Sequence, residues 1–178
     1  LSASIDLLQA QKGKPLKQFL KQEAVEKVRK WSADSIFSEK YEVFIEQPLD
    51  HENPGAGTFL QRFFVCHRSV DRPVVLVTEG YGAAYAGRSD YASELGKIIE
   101  ANEIVVEHRY FLKSKPEPTD WQYLTVANAA ADHHRIIEMM KRFYIESWIS
   151  TGISKGGQAA LYHRTLYPND VTATVGYV

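Results

Sequence analysis

Leu16, Phe19, Leu20, Ala24, Val28 and Trp31 recur at helical spacing with lysines and glutamates between them, which predicts an amphipathic helix over Pro15 to Trp31 lying on a larger body. The period then changes. Tyr41 to Gln47 reads as a strand, Pro48 to Gly57 is turn chemistry, and Thr58 to Cys66 is a second strand rich in aromatic and β-branched residues, so the two are expected to pair antiparallel. Pro73 to Thr78 is a continuous apolar run, the pattern of a strand covered on both faces by helices, and it ends in Glu79-Gly80-Tyr81-Gly82.

From there helix and strand alternate. A short helix is predicted over Asp90 to Ala101, capped by Ser89 or Asp90, followed by a buried strand over Glu103 to Val106 and a loop holding Pro116 and Pro118. Asp120 is expected to cap a long helix from about Trp121 to Tyr144. A strand then leads to Ser154, a helix runs to Tyr167, Pro168-Asn169-Asp170 stops it, and Thr172 to Val178 forms a last strand. An antiparallel lead-in followed by repeated βαβ units predicts an α/β fold with a mostly parallel sheet and helices on both faces. Residues 1–40 read as an N-terminal helical extension and 41–178 as the body.

Composition narrows the function more than the fold. With 178 residues, 24% of them charged and a net charge of -1, the chain matches an ordinary single domain, and its scattered basic residues propose neither nucleic acid nor an anionic membrane as partner. The longest apolar runs are of strand length, too short for a transmembrane helix. The chain opens on Leu1 with no leader pattern, so a leader already removed would leave no trace. Cys66 is the only cysteine, excluding an intrachain disulfide, and its apolar neighbours make it buried filler rather than a nucleophile.

The chemistry concentrates at Gly152-Ile153-Ser154-Lys155-Gly156. This G-x-S-x-G, between a β-branched strand and a small-residue helix start, is the nucleophile-elbow pattern of α/β-hydrolases, in which a strained turn lifts a serine above the sheet edge. Gly152 and Gly156 are expected because strand and helix pass too closely there for side chains. Acyl transfer needs two donors for the developing oxyanion. They are read as the backbone N–H of Lys155 and that of Gly80 or Tyr81, in the loop after the third strand of the hydrolase pattern. The Lys155 ammonium itself reads as a surface group.

Glu79 and Glu107 end two neighbouring central strands at the edge where ligands of open α/β sheets bind. Either carboxylate could hold a substrate α-ammonium. The alternative for Glu107 is a structural pair with Arg109, two residues on. Asp132, His133, His134 and Glu138 share one helix but lack H-E-x-x-H and a third ligand at a typical spacing, so no metal site is expected. Without G-x-G-x-x-G or a P-loop, no nucleotide cofactor is expected either.

Val77-Thr78-Glu79-Gly80-Tyr81, Glu107-His108-Arg109-Tyr110-Phe111, Asp120-Trp121-Gln122-Tyr123-Leu124-Thr125 and Gly152-Ile153-Ser154-Lys155-Gly156-Gly157, with Gln47-Pro48-Leu49-Asp50-His51 and Phe59-Leu60-Gln61-Arg62 upstream, resemble the bacterial secreted prolyl tripeptidyl aminopeptidases. These are distant relatives of lysosomal prolylcarboxypeptidase. The resemblance implies an α/β-hydrolase fold and a secreted or periplasmic serine exopeptidase that releases tripeptide-type N-terminal peptides, often after proline. Two alternatives share the scaffold: a carboxylester hydrolase and a non-catalytic binding protein.

One departure stands out. The hydrolase triad follows the chain order Ser, Asp or Glu, His. After Ser154 only His163 and Asp170 are present, the first on the elbow helix and the second in the stop beyond it. Neither suits the triad, so the chain reads as an N-terminal portion, inactive alone, whose sheet and triad are completed by a C-terminal segment or a second chain.

Overall fold

The computed structural model describes residues 16–22 and 25–177. Pro15 and Ala24 of the predicted first helix, residues 1–15 of the predicted extension and Val178 of the last predicted strand lie outside them. The elements are α1 (Leu16–Gln22), β1 (Val25–Trp31), β2 (Glu39–Pro48), β3 (Thr58–His67), β4 (Val74–Thr78), α2 (Glu94–Ile98), β5 (Asn102–Val106), α3 (Val126–Lys141), β6 (Trp148–Ile153), α4 (Lys155–Leu166) and β7 (Ala173–Tyr177). The seven strands form one sheet in the order β1-β2-β3-β5-β4-β6-β7. The first three are an antiparallel meander, and β5, β4, β6 and β7 run parallel to one another.

Alternation along the strands divides the interior in two. Val43, Ile45, Phe63, Val65, Leu76, Ile104 and Val106 meet α1 through Phe19 and Leu20 and α3 through Ile136, Ile137 and Met140. Their neighbours in sequence, Phe64, Val75, Val77 and Val105, face the other way, onto Leu95 and Ile99 around α2. Strands β4 and β5 are buried at every position, whereas the edge strands β1 and β7 are at best half-buried throughout. Central burial explains the unbroken apolar runs.

The sequence reading is corrected at three elements. The first helix ends at Gln22, and Val25–Trp31 is a strand paired with β2. Val28 and Trp31 are three apart, one face of a helix but opposite faces of a strand. Here Val28 packs on one core and Trp31 on the other, and a register irregularity between Val25 and Lys27 returns Val25 to the Val28 side. The predicted extension therefore contributes a strand to the sheet. The second helix is shorter than Asp90 to Ala101 and is capped by Ser93, whose hydroxyl accepts the Gly96 N–H at 3.0 Å while its own N–H donates to buried Glu103 at 2.8 Å. Asp120 caps only a single 3-10 turn at Trp121–Tyr123; α3 starts later, where Thr125 accepts the Asn128 N–H at 3.1 Å. Cys66 is buried beside Phe37 and Ala92, and burial pushes its thiol up to about 12.

One buried ion pair joins the lead-in to the parallel half. Arg109 Nε and Nη2 fork onto Asp132 at 2.7 and 2.8 Å, with both side chains fully buried. The remaining guanidinium N–H groups donate to the carbonyls of Pro48, Leu49 and Tyr123 at 3.1, 2.8 and 2.8 Å, and His51 Nε2 reaches Asp132 at 2.8 Å. One arginine thus fixes the end of β2, the loop after β5 and the side of α3. Removing one partner of such a pair strands a buried charge and costs about 3–5 kcal/mol. Asp132→Ala is accordingly expected to lower the unfolding free energy obtained from urea denaturation by that amount, and a loss of less than about 1 kcal/mol would contradict it.

Candidate active site

Ser154 sits between the last residue of β6 and the first of α4 with φ 54° and ψ -120°, a backbone conformation that L-residues rarely adopt. The turn is pinned on both sides. Its N–H donates to the Tyr177 carbonyl at 2.9 Å and its own carbonyl accepts the Gln158 N–H at 3.0 Å. The side chain stands exposed at the strand ends, and among the described residues no group is hydrogen-bonded to its hydroxyl.

The two glycines are required by distance. A Cβ on Gly152 would strike the Gly156 carbonyl group and lie 2.7 Å from the Thr78 carbonyl oxygen; one on Gly156 would lie 2.5 Å from that same oxygen. Thr78 Oγ1 also reaches the carbonyls of Thr151 and Gly156 at 3.1 and 2.8 Å, tying the end of β4 to both arms of the elbow. Sequence reasoning overlooked this hydroxyl, which carries no motif.

The two segments expected to carry the oxyanion donors lie against each other. Lys155 is the first residue of α4, so its N–H has no partner within the helix. Gly80 is pressed against it: a Cβ there would lie 2.5 Å from Lys155 Cβ and 2.9 Å from the Gly156 nitrogen. This brings the Gly80-Tyr81 segment alongside the start of α4, and among the described residues the Tyr81 N–H has no acceptor. The Lys155 ammonium is not a free surface group. It lies 4.8 Å from the centroid of the Tyr81 ring and 4.9 Å from that of Phe111.

The two glutamates part company. Glu107 is fully buried and accepts from Arg62 Nε (3.1 Å), Arg62 Nη2, the Ala83 N–H (3.0 Å), the Lys113 N–H (3.0 Å) and the Ser114 hydroxyl (3.1 Å). Five protein donors leave it no face for a substrate amine, which removes it from the amine-binding candidates. Its ion-pair partner is Arg62 and not Arg109, whose fork is taken by Asp132. An arginine inside the apolar run Phe59 to Cys66 was the available signal. Glu79 is half-buried, accepts from the Tyr85 hydroxyl, and is held above the usual carboxylate range by burial, which outweighs that bond. It lines a cavity of about 280 Å³ with Tyr85, Tyr91, Gly152, Ile153 and Tyr177, beside the elbow.

Asp170 and His163 do form a carboxylate–imidazole pair at 2.9 Å, with His134 on the same oxygen at 2.8 Å. The pair is structural. His163 is fully buried against α3, nine residues past Ser154, or about 13 Å along the helix axis. Burial drives neighbouring His133 far below the usual histidine range, and His134 stacks on Tyr167 and meets Glu138 at 3.4 Å. A cavity of about 630 Å³ lies at the opposite end of the strands around Lys141, Trp148 and Arg164 and is lined by no elbow residue.

Comparison with known proteins shows the family. Residues 32–178 match the family model described as PS-10 peptidase S37. The chain is 45% identical over 132 residues to a prolyl tri/tetrapeptidyl aminopeptidase of Streptomyces mobaraensis, covering 74% of this chain and 27% of that protein. It is 29% identical over 162 residues to prolyl carboxy peptidase like protein 5 of Caenorhabditis elegans, covering 79% and 31%. The chain thus spans about a third or less of these relatives' length. Among solved structures, Candida antarctica lipase A in its closed state superposes with a TM-score of 0.51 at 12% identity over 85% of this chain and 41% of the lipase, a likeness of fold alone.

The crowding at the elbow is directly testable. Gly152→Ala would place a methyl group into backbone, where neither neighbour can swing aside, and overpacking of this kind costs about 1–3 kcal/mol. Its expected result is a lowered denaturant midpoint together with loss of fluorophosphonate labelling in the full-length protein; full labelling at parental stability would show that the strand and helix can part.

Proposed function

The chain belongs to the PS-10 peptidase S37 family, and on that premise we propose that the full-length protein is a serine exopeptidase that releases short, tripeptide-type N-terminal peptides, often after proline, through an acyl-enzyme on Ser154. The observation that carries the reading is the strained Ser154 backbone held by Gly152, Gly156 and Thr78, because that strain holds the hydroxyl clear of protein groups beside two unspent N–H donors. The activity for which the Streptomyces relative is named supplies the substrate class.

In this mechanism Ser154 Oγ bonds to the scissile carbonyl carbon, and its proton passes to a histidine base. The carbonyl oxygen becomes an oxyanion held by the Lys155 and Tyr81 N–H groups. Collapse breaks the C–N bond, the amine leaves with the proton, and water repeats the sequence on the ester. No described histidine bonds to Ser154, so the base and its carboxylate belong in this proposal to a segment or chain beyond these residues, which would also continue the sheet past β7. A secreted or periplasmic location belongs to the same proposal and rests on the resemblance.

Glu79 is assigned the substrate α-ammonium, since of the two candidate carboxylates, Glu79 and Glu107, it is the one that lines the cavity beside the elbow, where Glu94 is the other acidic residue. The sign of its pH effect follows. A carboxyl held above its usual range is neutral in acid and gains charge as pH rises through its raised pKa, so attraction for a cationic amine appears only above that point.

Two measurements check the proposal. Ser154→Ala is expected to abolish both fluorophosphonate labelling and turnover of tripeptidyl-proline anilides, with losses of about 10³-fold or more; surviving label would place the nucleophile elsewhere, and preference for short acyl esters would favour a carboxylester hydrolase. The ratio of kcat/KM for free over N-acetylated peptides, in which the base's own titration cancels, should rise with pH across the Glu79 transition and fall to near unity in Glu79→Gln. A flat ratio in the parent would remove Glu79 from amine binding.

A further inference from the structure

The oxyanion loop needs a support that the elbow does not provide. Tyr81 lies in a short connection between the end of β4 and the 3-10 turn at Ala84–Gly87, is itself 57% exposed, and has no sheet partner of its own. A donor that is to stabilise a developing charge must already point at it, because reorienting a dipole during the reaction forfeits part of the gain.

The connection is fixed from the end of the neighbouring strand. The His108 N–H donates to the Tyr81 carbonyl at 3.0 Å, and the buried Glu107 carboxylate accepts the Ala83 N–H at 3.0 Å. These two bonds, from consecutive residues, hold the peptide planes on the C-terminal side of the Tyr81 nitrogen. Glu107 is held in turn. Arg62 forks onto it from β3, and the Lys113 N–H and Ser114 hydroxyl close the other side. At Gly82 a Cβ would strike the Leu112 side chain but make only an ordinary contact, at 3.6 Å, with Glu107 Oε2. All five bonds to Glu107 come from the protein, so the carboxylate reaches the reacting atoms only through the loop.

We propose that Glu107, braced by Arg62, is a positioning residue for the oxyanion hole, fixing through the Ala83 N–H the direction in which the Tyr81 N–H points. This rests on the reading of Ser154 as nucleophile and Tyr81 as oxyanion donor. It gives a buried ion pair on the lead-in strands a role in transition-state stabilisation, at a distance from the substrate.

The discriminating comparison is between two buried carboxylates that share Arg62. Glu42 also pairs with Arg62, at 3.1 Å, and with Lys113, but it does not touch the loop. In the full-length protein, Glu107→Gln and Glu42→Gln would be measured for thermal stability, for kcat and KM on a tripeptidyl-proline anilide, and for inhibition by a tripeptide prolinal, whose serine adduct places an oxyanion in the hole. Removing an oxyanion donor costs about 10²–10³-fold, and a misdirected donor should cost part of that. Glu107→Gln is expected to lower kcat about 10–100-fold and weaken the aldehyde by the same factor, with KM within about twofold. Glu42→Gln is expected to lower stability while leaving kcat and aldehyde affinity near parental.

Replacement of Ala83 by L-lactate, which deletes only the N–H, should reproduce the Glu107→Gln pattern at reduced size, and it decides the matter if Glu107→Gln does not fold. The proposal is overturned if the Glu107 and lactate proteins keep kcat and aldehyde affinity within about twofold, or if Glu42→Gln loses both to the same degree. Ser154→Ala separates the two failures. Loss of label in Ser154→Ala with a neutral Glu107→Gln leaves the nucleophile standing and removes only the positioning role, whereas persistent label in Ser154→Ala removes the premise.

Discussion

The carbonyl oxygen of Thr78 is approached by the positions where Gly152 and Gly156 would carry side chains, at 2.7 and 2.5 Å. That crowding sets what the centre of the molecule can be. Strand β6 and helix α4 meet over the end of β4 with only backbone between them, and the residue linking them must turn within one position. Ser154 accepts the positive φ because the sheet on one side and the α4 hydrogen bonds on the other leave no relaxed alternative. The result is an exposed hydroxyl at the strand ends to which no described residue is hydrogen-bonded.

Around this point buried charge is used as framing. Arg109 with Asp132, and Arg62 with Glu107 and Glu42, are withdrawn from water and held by hydrogen bonds, with Glu42 Oε2 alone among their polar atoms left buried without a hydrogen-bond partner among the described residues, so their partners are set by geometry rather than solvent. Replacement by apolar groups of similar volume would often be at least as stable. Their value lies in direction. A guanidinium offers five donors in a fixed plane, and each pair here ends on loop backbone that no sheet ladder would otherwise hold. The antiparallel lead-in is thereby tied to the functional edge, through Pro48 and Leu49 at one pair and the Ala83 N–H at the other.

Buried imidazoles take a different course. His133 lies deep in the contact between α3 and α4 and is held neutral by burial, while His163 and His134 share one oxygen of Asp170. A carboxylate–histidine bond of triad length therefore exists in the molecule without a nucleophile, since about 13 Å of helix separate it from Ser154. Bond length alone does not identify a catalytic pair; the third member must be within reach.

The sequence by itself determined the α/β class, the order of the central strands' apolar runs, the elbow and its two glycines, and the N–H groups beside it. These are local facts: periodicity, turn chemistry and a motif whose glycines answer to one close approach. It determined less where one pattern serves two structures, as at Val28 and Trp31, whose spacing suits one face of a helix and equally two faces of an edge strand. Helix starts at Glu94 and Val126 were hidden because the Ser93 cap, held by buried Glu103, and the Thr125 cap outcompeted the caps the sequence suggested. Only the tertiary structure decided which charges meet. Glu107 and Arg109 are two apart in the chain, yet each finds its partner on another element, Arg62 on β3 and Asp132 on α3, because a side chain buried where a strand ends answers to what the fold brings opposite it and not to its neighbour along the chain.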